Sequence, residues 1–116
     1  MIEITLPWPA TELSPNARVH WSRKAKAAAI AKNAAFVETH PIKRRDMCCE
    51  QFAVTLTFHP CDKRKRDIDG LISRCKNALD GICLALNIDD SQFKSVTGAW
   101  GDVRKPGAVV VTLEVL

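Results

Sequence analysis

The chain is expected to fold as one small α/β (α+β) domain: an about four-stranded mixed sheet and two main helices in the order β-α-β-α-β-β. Three observations predict it. Two segments alternate apolar and polar residues with the period of a half-buried strand. Two others carry helix-favouring composition or helical apolar spacing. The length, 116 residues, suits a single core and leaves no room for separate binding and catalytic domains, so residues 1–116 are read as one domain.

Ile2, Ile4 and Leu6 alternate with Glu3 and Thr5, and Pro7 and Pro9 end this first strand near residue 6. A polar, turn-rich stretch, TELSPNARVHW, leads to Ser22, the expected N-cap of an alanine-rich helix reaching about Glu38. His40-Pro41 through Asp46 read as a loop. Phe52, Val54, Leu56 and Phe58 alternate through Thr55 and Thr57 before Pro60, the clearest strand of the chain. From Leu71 to Leu86 the residues Leu71, Ile72, Cys75, Leu79, Ile82, Cys83 and Leu86 form one helical stripe. Phe93 to Trp100 and Ala108 to Leu116 read as two further strands, and the loop from Asp102 to Gly107 suits a hairpin between them.

Composition bounds the function. With 47% apolar and 26% charged residues and no apolar run of membrane-spanning length, a soluble domain without a membrane role is expected. MIEITLPWPA carries neither a basic leader nor a sustained apolar run, so the expected location is cytoplasmic. Five cysteines are odd in number, and adjacent Cys48-Cys49 lacks the spacing of a zinc chelate, so buried or free thiols are expected. The net charge is only +4, but the cations cluster at Arg23-Lys24-Lys26, Lys43-Arg44-Arg45 and Lys63 to Arg66. Such clustering favours a polyanionic partner.

The last cluster runs directly into Asp67-Ile68-Asp69, and Asp89-Asp90 follows the second helix. In an extended segment Asp67 and Asp69 would project to one side with Ile68 facing the core. Two carboxylates at one point repel unless a cation neutralises them, and hard oxygen ligands suit Mg²⁺, or Mn²⁺ in its place. At 100° per residue Asp69, Ser73, Lys76 and Asp80 fall in one sector, which makes Lys76 a candidate for charge stabilisation at a reacting phosphate. The competing reading is structural: Asp-x-Asp before a helix serves as N-cap and dipole partner, and Lys76 with Asp80 is an ordinary i,i+4 pair.

Taken together these segments resemble the RusA-like family of Holliday junction resolvases, small metal-dependent endonucleases of bacteria and prophages. Arg66-Asp67-Ile68-Asp69 is similar to its basic-then-Asp-x-Asp motif, Lys76-Asn77-Ala78-Leu79-Asp80-Gly81 to its lysine-bearing helix, and Ile88-Asp89-Asp90-Ser91 to its closing acidic pair. Leu6-Pro7-Trp8-Pro9 and Ser14-Pro15-Asn16 are similar to its proline-rich entry. The resemblance implies a RusA-like fold and a homodimer. It also implies a Mg²⁺-dependent crossover junction endodeoxyribonuclease that resolves four-way DNA junctions by paired symmetric nicks in recombination and repair. Carried over by position, it makes Asp67, Asp69 and Asp90 metal-binding and catalytic carboxylates and Lys76 the catalytic lysine. Two departures stand out: Gly70 replaces the usual Asn, and Lys76 lies seven residues beyond Asp69 where four is the better-known spacing.

Phosphate contacts need only charge and placement, so Asn16, Arg18, Arg23, Lys24, Lys63, Arg64, Lys65 and Arg66 are the expected DNA-binding residues. His20 reads as a surface or capping residue, and Trp21 as a core residue at the helix entry. Apolar strand edges within 108–116 are candidate dimer contacts. Two alternatives stay open: a catalytically silent branched-DNA-binding protein, and a basic module for an acidic protein partner.

Overall fold

A computed structural model describes residues 1–42, 47 and 49–116. The elements are β1 (Ile2–Pro7), α1 (Trp21–Thr39), β2 (Phe52–His59), α2 (Ile68–Arg74), α3 (Lys76–Leu86), β3 (Phe93–Trp100) and β4 (Ala108–Val115). Short 3-10 turns stand at Thr11–Leu13, His40–Ile42 and Asp90–Gln92. The strands form one four-stranded mixed sheet in the order β1-β4-β2-β3. β4 runs antiparallel to both β1 and β2, while β2 and β3 are parallel. The architecture is a single α+β domain.

Alternation along the strands decides which face is covered. Ile4 and Leu6 of β1, Phe52, Val54, Leu56 and Phe58 of β2, and Val109, Val111 and Leu113 of β4 point to one face and are buried. They meet Leu71, Cys75, Ile82 and Leu86 from the helices. The alternate residues, such as Thr55, Thr57, Val110 and Thr112, remain partly accessible on the opposite face. Full burial of these aliphatic and aromatic side chains contributes roughly 1.5–3 kcal/mol each. The helical layer is closed at Gly81, where an added Cβ would stand 2.2 Å from the Lys32 carbonyl oxygen and 3.1 Å from the Ala35 Cβ.

Five sequence expectations are corrected. β3 and β4 form no hairpin: β2 lies between them, because β4 takes the slot that pairs it with β1 and β2 simultaneously. For the same reason residues 108–115 are an interior strand, and the sheet edges are β1 and β3. The helix expected from Leu71 to Leu86 is two helices, separated at Cys75, whose φ of −90° and ψ of 0° leave the α region. The N-cap of α1 is His20, whose ring accepts from the Ser22 amide; Ser22 lies inside the first turn. Trp21, expected in the core, is 76% exposed.

Candidate functional site

The segment after β2 turns sharply before entering α2, and ionic bonds within it fix that turn. Arg66 donates to the Asp62 carboxylate at 2.7 Å and to the backbone oxygens of Asp62 and Arg64 at 3.1 and 3.0 Å. Its guanidinium also lies 5.5 Å from the centre of the Trp8 ring, and its side chain is only 18% exposed. Arg64 donates to Asp62 as well, through its amide and Nε. These bonds, the Arg64 amide foremost and the Arg66 guanidinium next, hold the Asp62 carboxyl well below the usual carboxylate range. Arg66, expected as a phosphate contact, is therefore a loop clamp, because its donors are spent internally. Lys63 and Lys65 are exposed and form no ion pair with any described residue.

The clamped loop delivers Asp67 as the N-cap of α2, with φ −91° and ψ 115°, its Oδ1 accepting from the Asp69 amide at 3.2 Å. Asp69 already lies in the first helical turn. The two carboxylates thus share the end of a helix rather than one side of an extended strand. Both are exposed, while Ile68 between them packs toward the core. Gly70 leaves the approach open: a Cβ there would meet only Asp67, at 3.6 Å from Oδ2.

β3 positions this helix. An added Cβ on Gly98 would lie 2.7 Å from Ile72 Cδ1 and 3.2 Å from Ile68 Cδ1, so α2 rests directly on Gly98. Trp100 occupies the same face one pleat further on, at the Asp67 end of α2. The Asp67–Asp69 pair and the Lys63–Lys65 loop accordingly lie at the carboxyl end of the parallel β2–β3 pair, where ligands of open α/β sheets are commonly bound.

Asp89 and Asp90 lie at the other end. They precede β3, whose five steps from Phe93 to Gly98 carry the chain about 16 Å before it passes under α2. Asp89 is fixed by a capping box with Gln92, and Gln92 in turn donates to the Met47 and Glu50 carbonyls at 2.9 and 2.8 Å. The Ser91 hydroxyl donates to Asp89 and holds its carboxyl below the ordinary value. Lys76 opens α3 and pairs with Asp80 at 3.7 Å. The Cys83 thiol is pushed up to about 12, by burial first and then by the negative charges of Asp90, Asp80 and Asp89, with Lys76 opposing. Asp80, Asp89 and Asp90 thus act on Cys83 by charge, while Lys76 at the start of α3 is paired with Asp80.

The predicted site is thereby divided. Asp67 joins Asp69, Lys76 joins Asp80, and Asp89–Asp90 stand before β3. Among the described residues no group of three or more His, Cys, Asp or Glu side chains is placed to hold a metal ion. Asp67, Asp69 and Asp90 belong to no such group. Two exposed carboxylates still fit Mg²⁺, which commonly keeps several waters and binds one or two protein carboxylates together with substrate phosphate.

On the remaining surface Asn16, Arg18 and Arg23 are exposed and Lys24 is half-buried. The basic run Lys43-Arg44-Arg45, with Cys48, lies outside the described residues. Arg74 is tied to the Pro9 and Ala10 carbonyls, which fastens the proline-rich entry to α2. The entry, α1 and the start of α3 enclose an apolar cleft of about 410 Å³, lined by Trp8, Leu13, Ala27, Ile30 and Ala78 with Arg23 and Lys26 at its rim. Sequence reasoning missed Trp100, which sits half-exposed beside Phe58 with ring centres 6.1 Å apart. It also missed His59, whose Nδ1 lies 3.0 Å from the Asp102 carboxylate. An aromatic that ends a strand followed by Gly101 was the available signal for the first; the second has none, because Asp102 is 43 residues away.

Among the described residues no helix is long and apolar enough to cross a membrane. No family model matches the chain. An uncharacterized protein of Xylella fastidiosa (strain Temecula1 / ATCC 700964) is 37% identical over 122 aligned positions, which cover 97% of this chain and 76% of that protein. The match spans nearly the whole chain, and the chain belongs to the same family as the Xylella fastidiosa protein.

Proposed function

We propose that this protein is a RusA-like, Mg²⁺-dependent, structure-selective endodeoxyribonuclease that acts on four-way DNA junctions as a homodimer. One observation carries the reading: the exposed Asp67–Asp69 pair stands beside exposed Lys63 and Lys65, at the carboxyl end of the parallel strands. Lys63 and Lys65 draw the phosphodiester backbone in, and Asp67 and Asp69 are the residues that would hold Mg²⁺. When bound there, it would supply Lewis-acid stabilisation and an activated water. Lys76 would have to leave Asp80 and reach across from the start of α3 to supply positive charge for the leaving oxygen. Because α2 and α3 separate Asp67 from Asp90, a site that uses all three carboxylates takes Asp90 of the partner subunit. Two-fold symmetry then yields two equivalent sites and paired nicks.

A second reading has its own support: Asp67 already acts as a helix cap, as in a junction-binding protein without catalysis. Incubating the protein with a synthetic four-way junction in EDTA, Mg²⁺ and Mn²⁺ separates them. Symmetric nicks appearing only with metal are expected; binding without cutting in both metals would leave the silent reading standing and remove the nuclease.

A further inference from the structure

We infer that Trp21 is a stacking platform for an unpaired base, with Arg18 and Lys24 holding the phosphates of the same strand. This rests on the nucleic-acid part of the reading above and is independent of metal chemistry. Three observations lead to it. Trp21 is 76% exposed, the largest exposure of any aromatic side chain among the described residues. Its ring is braced: His20 lies against it with ring centres 5.5 Å apart at 33°, and His20 is itself fixed by the Ser22 amide at 3.2 Å and hydroxyl at 2.7 Å. A ring held this way loses little conformational freedom when a ligand stacks on it.

The surroundings select the ligand. Lys24 and exposed Lys32 share the Trp21 side of α1, about 60° and 20° around the helix from it, whereas the exposed apolar residues Ile30 and Val37, with Arg23 beside them, lie about 160–180° away. A lone indole among cations matches a base with its phosphate better than an apolar protein surface.

The test compares a fully paired duplex with the same duplex carrying a three-nucleotide gap that contains 2-aminopurine, in EDTA so that nothing is cut. Wild type is expected to bind the gapped DNA about tenfold more tightly and to quench the 2-aminopurine, in line with stacking on one aromatic ring. Trp21→Ala should remove both the preference and the quenching while leaving duplex binding intact, and Trp21→Phe should keep most of the preference. Circular dichroism melts confirm that both variants fold. The inference is overturned if wild type shows no preference, if Trp21→Ala keeps it, or if Trp21→Ala weakens both DNAs equally. It is equally overturned by a Trp21-dependent emission shift on anionic vesicles without any DNA preference. Because metal is absent throughout, a protein that stacks but never cuts refutes only the nuclease, and one that cuts with an indifferent Trp21→Ala refutes only the platform.

Discussion

Asp67 carries two roles that substitutions can separate. As N-cap it satisfies the Asp69 amide through Oδ1; as a carboxylate it contributes the charge that the proposed function requires. Asn retains the cap and removes the charge, whereas Ala removes both. Chemical denaturation should show Asp67→Ala destabilised by about 1 kcal/mol and Asp67→Asn nearly unchanged. Equal losses would show that α2 does not depend on this cap. A few residues earlier, Asp62 offers a test of the clamp. Its carboxyl is lowered in the folded state, so its contribution is fully present above the ordinary carboxylate pKa of about 3.9 and is lost only as pH falls through the lowered value. Carboxyl-carbon NMR should therefore find Asp62 still ionised at pH 3.5, and Arg66→Ala should move its titration upward.

The elements show where one-dimensional reading stops. β1 and β2 were legible because each has one buried face, so burial and sequence period coincide in Ile4-Leu6 and in Phe52-Val54-Leu56-Phe58. The partner of β4 was not legible: an apolar strand of eight residues fits beside β3 as well as between β1 and β2, and only the three-dimensional arrangement chooses. The division at Cys75 also leaves no local trace, since neither Pro nor Gly marks it. The division matters to the site, because the sector alignment of Asp69 with Lys76 assumed an unbroken helix. Asp67 and Asp69 were legible as a neighbouring pair, whereas the position of Asp90 depended on the path of β3. Gly81 gives the element scale its own prediction. Its Cβ would strike the Lys32 carbonyl at 2.2 Å, a backbone atom that cannot rotate away. Gly81→Ala should cost about 1–3 kcal/mol by forcing α1 from α3, seen as a lowered denaturation midpoint; a neutral result would contradict the close crossing.

Across the whole molecule, the parallel β2–β3 unit determines what one chain can assemble. A crossover connection starts at the carboxyl end of one strand and returns to the amino end of the next, so Asp67–Asp69 and Asp89–Asp90 occupy opposite ends by construction. In the proposed dimer this predicts complementation. Asp67→Asn and Asp90→Asn homodimers should each be inactive on a four-way junction, while mixed dimers contain one intact composite site and should nick one strand. Mixed dimers as inactive as the parents would place Asp90 outside the site. The centre itself is tested most directly by single-turnover cleavage of a four-way junction in saturating Mg²⁺ by wild type and by Asp67→Asn, which keeps the fold and the cap. The account predicts metal-dependent cleavage by wild type and a loss of about a hundredfold or more in Asp67→Asn with junction binding retained. Cleavage by Asp67→Asn at the wild-type rate would contradict it.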